Sequence, residues 1–353
     1  MATDEGLTAA YDFELPQELI AQTHAHPRDA SRLLVMRNDT LEDAVFSRLP
    51  GYLRAGDLLV VNETRVIAAR LSGVREGSGG AVEVLLLRPA TQQRFDGQAL
   101  RWHALLKPGR RLRTGTRILF GSGASAQVAA ECDEGVRELE FTLSERFEQF
   151  LERAGRLPLP PYIKNESQEA QEDYQTIFAR KPGSVAAPTA SLHFTDDVMN
   201  GLAERGVEIA RLTLDVGLGT FRPMKSNRLS EHHMHAESFC IPAEAAEAVA
   251  RAKAHGRRVI AAGTTVMRAL EGSAAKHGTV WAGEDETDIF ITPGFAFRIV
   301  DALITNFHLP QSTLLVLVSA FAGREAVLRA YRSAIERGYR FFSFGDAMFI
   351  ERE

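Results

Sequence analysis

The spacing of apolar residues along the chain changes character twice. "DLLVVNETRVIAARL", Asp57 to Leu71, is an almost unbroken aliphatic and β-branched stretch that predicts strand. Beyond the flexible turn "SGVREGSGG" come "AVEVLLL", "LRWHALL", "RRLRTGTRILF", "AQVAAE" and "VRELEFTL". These are about five short segments of alternating or β-branched character separated by Gly, Ser and Asp turns, the signature of a small barrel or sandwich. Residues 72–145 are therefore expected to form an inserted all-β domain, with 1–71 and 146–353 as the main one. "SERFEQFLERAG" predicts a helix with Ser144 as N-cap and Gly155 just past its end. "RLPLPPYIK" then predicts a stiff, extended linker, because each proline fixes its own φ and pushes the preceding residue out of the helical region.

The second half alternates helix and strand. "TDDVMNGLAERG" predicts a helix with Thr195 as N-cap and Gly206 as stop, running into the strand "VEIARLTLDV". "PAEAAEAVARAKAHG" repeats the pattern with Gly256 as stop and "RRVIAAG" as strand, and "GTT" leads into the helix "VMRALEGSAAKHG". The expected fold class is α/β: a mixed α and β main domain with an inserted small all-β barrel-like domain. In such layers ligands bind at the loops beyond the strands' C-terminal ends, here "DVGLGTF" and "GTT". The glycines of "VGLGT" serve equally well to make a turn.

The composition adds bounds. A chain of 353 residues, 45% hydrophobic and 25% charged, suggests about two domains and a sizeable core. Cys132 and Cys240 stand far apart and form no C-x-x-C pair, so neither a disulfide framework nor a thiolate metal site is indicated. The opening "MATDEGLTAAYDF" has no apolar signal region, and the run "LLVLVSAFA" is far short of the roughly 20 residues a membrane span needs. A soluble, cytoplasmic protein is expected. A net charge of −5 argues against bulk coating of nucleic acid, yet leaves room for a local basic stripe. "KPGRRLRTGTR", Lys107 to Arg117, is the densest such stretch, either a solvated hairpin or a phosphate contact.

Three segments carry candidate chemistry. "KPGSVAAPTASLHFT", Lys181 to Thr195, has neither helical nor strand period and offers His193 among small and hydroxylated residues. It reads as a rigid loop that presents His193, Thr189 and Ser191 to a ligand, or as one that only closes the core. "TNFHLP" stops a strand with Asn306 and His308, and Ser312 or Thr313 could cap the apolar helix beyond; His308 is a core residue or an acid–base group. "EHHMHAE", Glu231 to Glu237, gathers imidazoles and carboxylates that suggest zinc, although no H-E-x-x-H spacing or Cys partner accompanies them.

Further stretches carry a resemblance. "YDFELPQELIAQ", "PRDASRLLV", "GDLLVVNETRVIAARL", "LPLPPYIK", "YQTIFARKPGSVAAPTASLHFT", "VGLGTFRP", "HMHAE", "GTTVMRALE", "ETDIFITPGF", "DALITNFHLPQSTLLVLVSAFAG" and "YRFFSFGDAMFI" occur in order from Asp12 to Ile350. Together they resemble the S-adenosylmethionine:tRNA ribosyltransferase-isomerase family of queuosine synthesis. The resemblance implies transfer of the ribosyl part of S-adenosylmethionine to 7-aminomethyl-7-deazaguanine at the wobble position of a tRNA with a GUN anticodon. Epoxyqueuosine forms, and adenine and methionine leave. It implies no metal or redox cofactor, S-adenosylmethionine being a substrate, and a monomer is expected. Two departures stand out: Asp215 where the family commonly has His, and Val266 where it commonly has Ser.

This chemistry needs an acid to protonate departing adenine and a base to take a proton beside the sulfonium, and His193, His235, Glu237 and His308 are the candidates. Substrate contacts are expected from Thr189, Ser191, Asp215, Gly217, Gly219, Thr220, Thr264, Thr265, Arg268, Glu271 and Asn306. RNA contacts are expected from Lys107, Arg110 and Arg111 on the β domain, with Tyr162 and Lys164 after the prolines supplying stacking and charge. Two other readings stay open: a metal-dependent hydrolase built on "EHHMHAE", and an RNA-binding module that has lost its activity through Asp215 and Val266.

Overall fold

The computed structural model describes residues 5–37, 40–90, 100–165, 167–217 and 224–352; Gly219 and Thr220 of the expected site lie outside them. Strands β1 (Arg32–Arg37), β2 (Thr40–Val45) and β3 (Leu58–Asn62) come first, and β4 (Thr64–Val66) leads away from them. Next are β5 (Arg70–Arg75), β6 (Ala81–Pro89), β7 (Arg101–Lys107), β8 (Arg117–Leu119), β9 (Ser125–Glu131) and β10 (Val136–Thr142). Helix α1 (Phe147–Ala154) and the short β11 (Gly155–Arg156) lead back, followed by α2 (Gln168–Asp173), β12 (Lys181–Ser184), α3 (Asp196–Glu204) and β13 (Glu208–Leu214). The remainder is β14 (Glu237–Ile241), α4 (Ala243–Ala254), β15 (Val259–Ala262), α5 (Thr264–His277), β16 (Gly283–Thr287), β17 (Ala302–Asn306), α6 (Thr313–Ala322), α7 (Arg324–Glu336) and β18 (Ala347–Glu351).

The main sheet runs β16-β14-β13-β3-β15-β17-β18-β1-β2, with β13, β3, β15 and β17 parallel at its centre. These central strands are continuous apolar runs because both faces are covered. Leu58 and Val60 of β3, Val259 and Ala261 of β15 and Leu303 of β17 face one core, shared with Val249 of α4, Val266 and Leu270 of α5, Leu315 of α6 and Tyr331 of α7. Their neighbours Leu59, Val61, Ile260, Ala262 and Ile304 face the other, with Phe46, Leu49, Phe194, Val198 and Leu202. The main domain is thus a three-layer α/β structure, as the helix–strand rhythm predicts. The helix starts follow sequence signals too: Thr195 accepts from the Val198 amide, and Ser312 from the Leu315 amide.

The insertion is an antiparallel barrel of six strands, β5 to β10, closed by pairing of β5 with β8. Alternate residues point inward, among them Val82, Val84, Leu86, Trp102, Ala104, Val128, Leu139 and Phe141. Its apolar core reaches past residues 72–145 on both sides, taking in Ile67, Ala69 and Leu71 before and Phe147, Phe150 and Leu151 after. Phe147 stacks on Trp102 at 5.4 Å, so α1 plugs the barrel. That helix starts at Phe147 with Arg146 as its N-cap, later than the expected Ser144, because Phe147 is the first side chain the barrel interior can take. Gly155 returns the chain to β5: a Cβ there would lie 2.1 Å from the Ala68 carbonyl oxygen.

"RLPLPPYIK" is more than a linker. Leu159 and Ile163 join Ala21, Val66, Tyr174, Leu192 and Phe344 in a small cluster that fills the angle between barrel and sheet.

Candidate active site

The four parallel strands end at one edge of the sheet. Asn62, the last residue of β3, is fully buried; its Oδ1 accepts from the Thr64 and Leu214 amides, each at 3.1 Å, and its Nδ2 donates to the Leu214 carbonyl at 2.9 Å. One amide thereby clamps β3 to β13. Ser184 does the same for the segment after β12: its hydroxyl donates to the Ala186 carbonyl at 2.7 Å and accepts from the Val216 amide at 2.9 Å. These clamps hold the ends of β3 and β13 and the loop after β12 against the sheet.

Above them lies a cleft of about 610 Å³ including its open mouth. Pro188, Thr189 and Ala190 form one side, Gly263, Thr264 and Thr265 the floor, and Thr305 to Leu309 with Ser312 the far side. Tyr162, Phe342 and Ser343 close the end. Gly263 holds φ 104°, a conformation only glycine adopts without strain, and so turns β15 directly into α5. Gln311 and Phe342, neither a glycine, also have positive φ, 54° and 72°, beside two cleft-lining serines, Ser312 and Ser343.

Of the four acid–base candidates, only His308 lines the cleft. Its Nε2 lies 2.8 Å from the Thr305 hydroxyl, and burial pushes its pKa down to about 3, so the ring is neutral. His193 is a correction to the expected ligand loop. The turn at Thr189–His193 curls inward, and the ring is fully buried between Phe46 and His24, with Nδ1 2.7 Å from Ser31 Oγ and Nε2 3.0 Å from Asn306 Nδ2. Burial drives its pKa well below the ordinary value. Ser191 is corrected likewise: it is buried on the same turn and does not line the cleft.

"EHHMHAE" does not converge on a point. His235 is exposed and faces Glu134 of the barrel at 3.5 Å, whereas Glu237 is buried, bound to Arg268 and accepting from the Gly217 amide at 3.2 Å. His235 lies in the irregular segment before β14 and Glu237 is the first residue of that strand, and neither lines the cleft. Among the described residues, no group of three or more His, Cys, Asp or Glu side chains is gathered to hold a metal.

The other expected substrate contacts divide by depth. Thr189, Thr264, Thr265 and Asn306 line the cleft. Arg268 and Glu271 lie deeper on α5, where Glu271 accepts from the amides of Arg298, Ile299 and Val300 at 2.9–3.0 Å and so fixes the backbone leading into β17. Gly217 serves Glu237, and Asp215 accepts from the Thr64 hydroxyl at 2.8 Å. Val266 is part of the apolar core, so its lack of a hydroxyl removes nothing from the cleft wall.

Of the expected RNA contacts, Lys107, Arg110, Arg111 and Lys164 are exposed, the first three around the turn between β7 and β8. Tyr162 is a correction: its ring packs 4.8 Å from Phe342 and its hydroxyl meets Ser343 Oγ at 2.6 Å, which makes it cleft wall and not a surface stacking platform. Phe342 and Ser343 went unassigned in the sequence, and Ser312 is read there only as a helix cap. The aromatic run "YRFFSFGDAMF" was visible, but nothing in its pattern says that its chain turns back through positive φ to face the cleft.

The sequence profile of the queuosine biosynthesis protein family matches residues 8–350. The chain is 53% identical over 348 residues to the S-adenosylmethionine:tRNA ribosyltransferase-isomerase of Heliobacterium modesticaldum, covering 97% of this chain and 99% of the relative. It is 54% identical over 343 residues to the protein of the same name from Carboxydothermus hydrogenoformans, covering 96% and 98%. The crystal structure of S-adenosylmethionine tRNA ribosyltransferase from Thermotoga maritima is similar with a TM-score of 0.54 at 35% identity, covering 97% of this chain and 99% of that one. The likeness therefore takes in sheet, barrel and cleft together, and the chain belongs to the queuosine biosynthesis protein family.

Proposed function

We propose that this chain is an S-adenosylmethionine:tRNA ribosyltransferase-isomerase that transfers and isomerises the ribosyl group onto 7-aminomethyl-7-deazaguanine at the wobble position of a tRNA with a GUN anticodon. Epoxyqueuosine is formed, and adenine and methionine are released. The observation that carries this reading is the cleft where the parallel strands end, lined by residues of "APTA", "GTT", "TNFHLP" and "FFS", in a chain that is 53% identical to a relative of this name over nearly its full length. Its aromatic walls, Tyr162, Phe307 and Phe342, suit a sulfonium cation and a flat base.

In this reading His308 moves the proton, since it is the one acid–base candidate that lines the cleft among the described residues. A neutral imidazole accepts the proton from the carbon beside the sulfonium sulfur. Once protonated in a site that disfavours the cation, it readily gives that proton to adenine as the glycosidic bond breaks. S-Adenosylmethionine acts as substrate, and no step calls on a metal or redox cofactor. Lys107, Arg110, Arg111 and Lys164 contact RNA phosphates in this reading. The decisive experiment is incubation with S-adenosylmethionine and tRNA carrying the deazaguanine precursor, followed by chromatography for free adenine; no adenine above the level without protein rejects the proposal.

A further inference from the structure

We propose that Asn306 reads a nucleobase in the cleft by accepting one of its N–H groups, and that His193 is the positioning residue that keeps the Asn306 carbonyl turned to do so. Asn306 ends β17, is 2% exposed and lines the cleft. Its Nδ2 donates to the Phe342 carbonyl oxygen at 3.1 Å, and a carbonyl can only accept, so this contact fixes which end of the amide is nitrogen. The second hydrogen of that nitrogen points to His193 Nε2 at 3.0 Å, which must carry a lone pair. The imidazole proton is then on Nδ1, donated to Ser31 Oγ at 2.7 Å. With both amide hydrogens spent on protein partners, Asn306 Oδ1 is left buried with no partner at all. A buried acceptor without a donor is costly, and its position on the cleft wall says what removes the cost.

The chemistry of the donor follows from the surroundings. Tyr162, Phe307, Phe342, Pro188 and Leu314 make flat, apolar walls, and no Asp, Glu, Lys or Arg lines the cleft among the described residues. With no carboxylate in the wall, the donor that meets Asn306 Oδ1 is an uncharged amino or ring N–H of a planar ring and not an ammonium group. Thr265 Oγ1, also on the cleft and also without a partner, can donate to a neighbouring ring nitrogen. A nucleobase offers that adjacent donor and acceptor. The inference rests on the proposed function for the two bases at hand, the adenine of S-adenosylmethionine and the deazaguanine of the RNA, both of which carry such N–H groups.

The test is calorimetric titration of the full chain with S-adenosylhomocysteine, with its 6-oxo counterpart S-inosylhomocysteine, and with free 7-aminomethyl-7-deazaguanine. For adenine, the wild-type protein prefers the adenosyl over the inosyl compound by about tenfold or more, since a carbonyl facing Asn306 Oδ1 leaves two acceptors opposed. Asn306→Ala brings that preference within about twofold, as does His193→Leu. His193→Gln, which keeps an acceptor at the Nε2 position, restores it. If the deazaguanine is the base read, its binding falls in the same variants with the same rescue while the adenosyl preference stays, which upholds the inference with the other base as source. Unchanged discrimination and binding in both arms overturns it, and so does a wild-type protein that binds the adenosyl and inosyl compounds equally and shows no loss of deazaguanine binding in His193→Leu, even if Asn306→Ala fails to fold. A wild-type protein that binds none of the three ligands overturns the proposed function and takes this inference with it.

Discussion

The two edges of the central sheet are built from the same strands and treat polar groups in opposite ways. At the N-terminal edge, Asp57 precedes β3, Arg258 precedes β15 and Asp301 precedes β17, and each charge is matched: Arg258 to Asp57 and to Glu351 at 2.5 Å each, Lys253 to Asp301 at 2.9 Å, Arg54 to Glu351 at 2.6 Å. At the C-terminal edge the cleft holds Asn306 Oδ1 and Thr265 Oγ1 without partners and a neutral His308. Each such orphan forgoes stability of about 1–3 kcal/mol. One edge closes the fold with satisfied charge, and the other leaves polar atoms unpaired beside the cleft.

The sharpest way to break that contrast is to exchange the expected penalties. His308→Gln should lower turnover by about 10²-fold or more while shifting the melting temperature little, because the proposed proton carrier is lost and most of the volume is kept; adenine release and thermal melting measure the two. Arg258→Met should do the reverse. It leaves Asp57, 4% exposed at its side chain, without its main counter-charge and should cost about 3 kcal/mol in denaturant unfolding while S-adenosylmethionine turnover at permissive temperature is kept. A cleft-sized loss of turnover in Arg258→Met, or a large stability loss in His308→Gln, would erase the distinction between the edges.

Acid should separate them further. Burial lowers the pKa of His24 to about 4 and of His308 to about 3, and pushes that of His193 down as well, whereas the unfolded chain takes up these protons near pH 6.5. Between about pH 6.5 and 4 the unfolded state therefore binds more protons, so stability is full above that window and falls as pH drops through it. Each imidazole adds a slope of up to ~1.4 kcal/mol per pH unit. Arg258 stays charged throughout, since Asp57 and Glu351 hold its pKa up against burial. His24→Asn should flatten the pH dependence of the unfolding free energy by about one proton between pH 6.5 and 5. A slope equal to wild type means that His24 is not neutral in the fold.

The smallest effect is expected on the barrel. Replacing Arg110 and Arg111 with Ala should weaken tRNA binding modestly and reduce the slope of log affinity against log salt by about 0.7–0.9 per lost phosphate contact. S-Adenosylhomocysteine affinity should not change. Parallel salt plots would remove this turn from the RNA footprint and leave Lys164, two residues beyond Tyr162 in the chain, as the remaining candidate.

The sequence made the layers visible where one local rule decides them. Continuous apolar strands, Thr195 and Ser312 at helix starts and the run of short alternating segments all follow from near neighbours along the chain. The loop after β15 was legible as a cleft candidate for the same reason, since α/β layers leave strand ends open, whereas its counterpart after β13 runs outside the described residues. What escaped depends on distant pairings. His193 looks like a loop histidine until Ser31, 162 positions away, and Asn306, 113 positions away, close on its two nitrogens. Tyr162 looks like a surface ring until Ser343 takes its hydroxyl. His235 and Glu237 look like one cluster until the barrel claims the first and Arg268 the second.

The closed barrel has a further consequence, for the speed of folding. Leu58 and Glu208 sit side by side in β3 and β13 although about 150 positions separate them along the chain, so their pairing must close a long loop. A formed barrel holds Arg70 against Arg156 and takes about 85 of those positions out of that loop. The insertion therefore lowers the effective contact order of the sheet that carries the cleft, and sequence changes that slow barrel closure will slow assembly of the sheet as well.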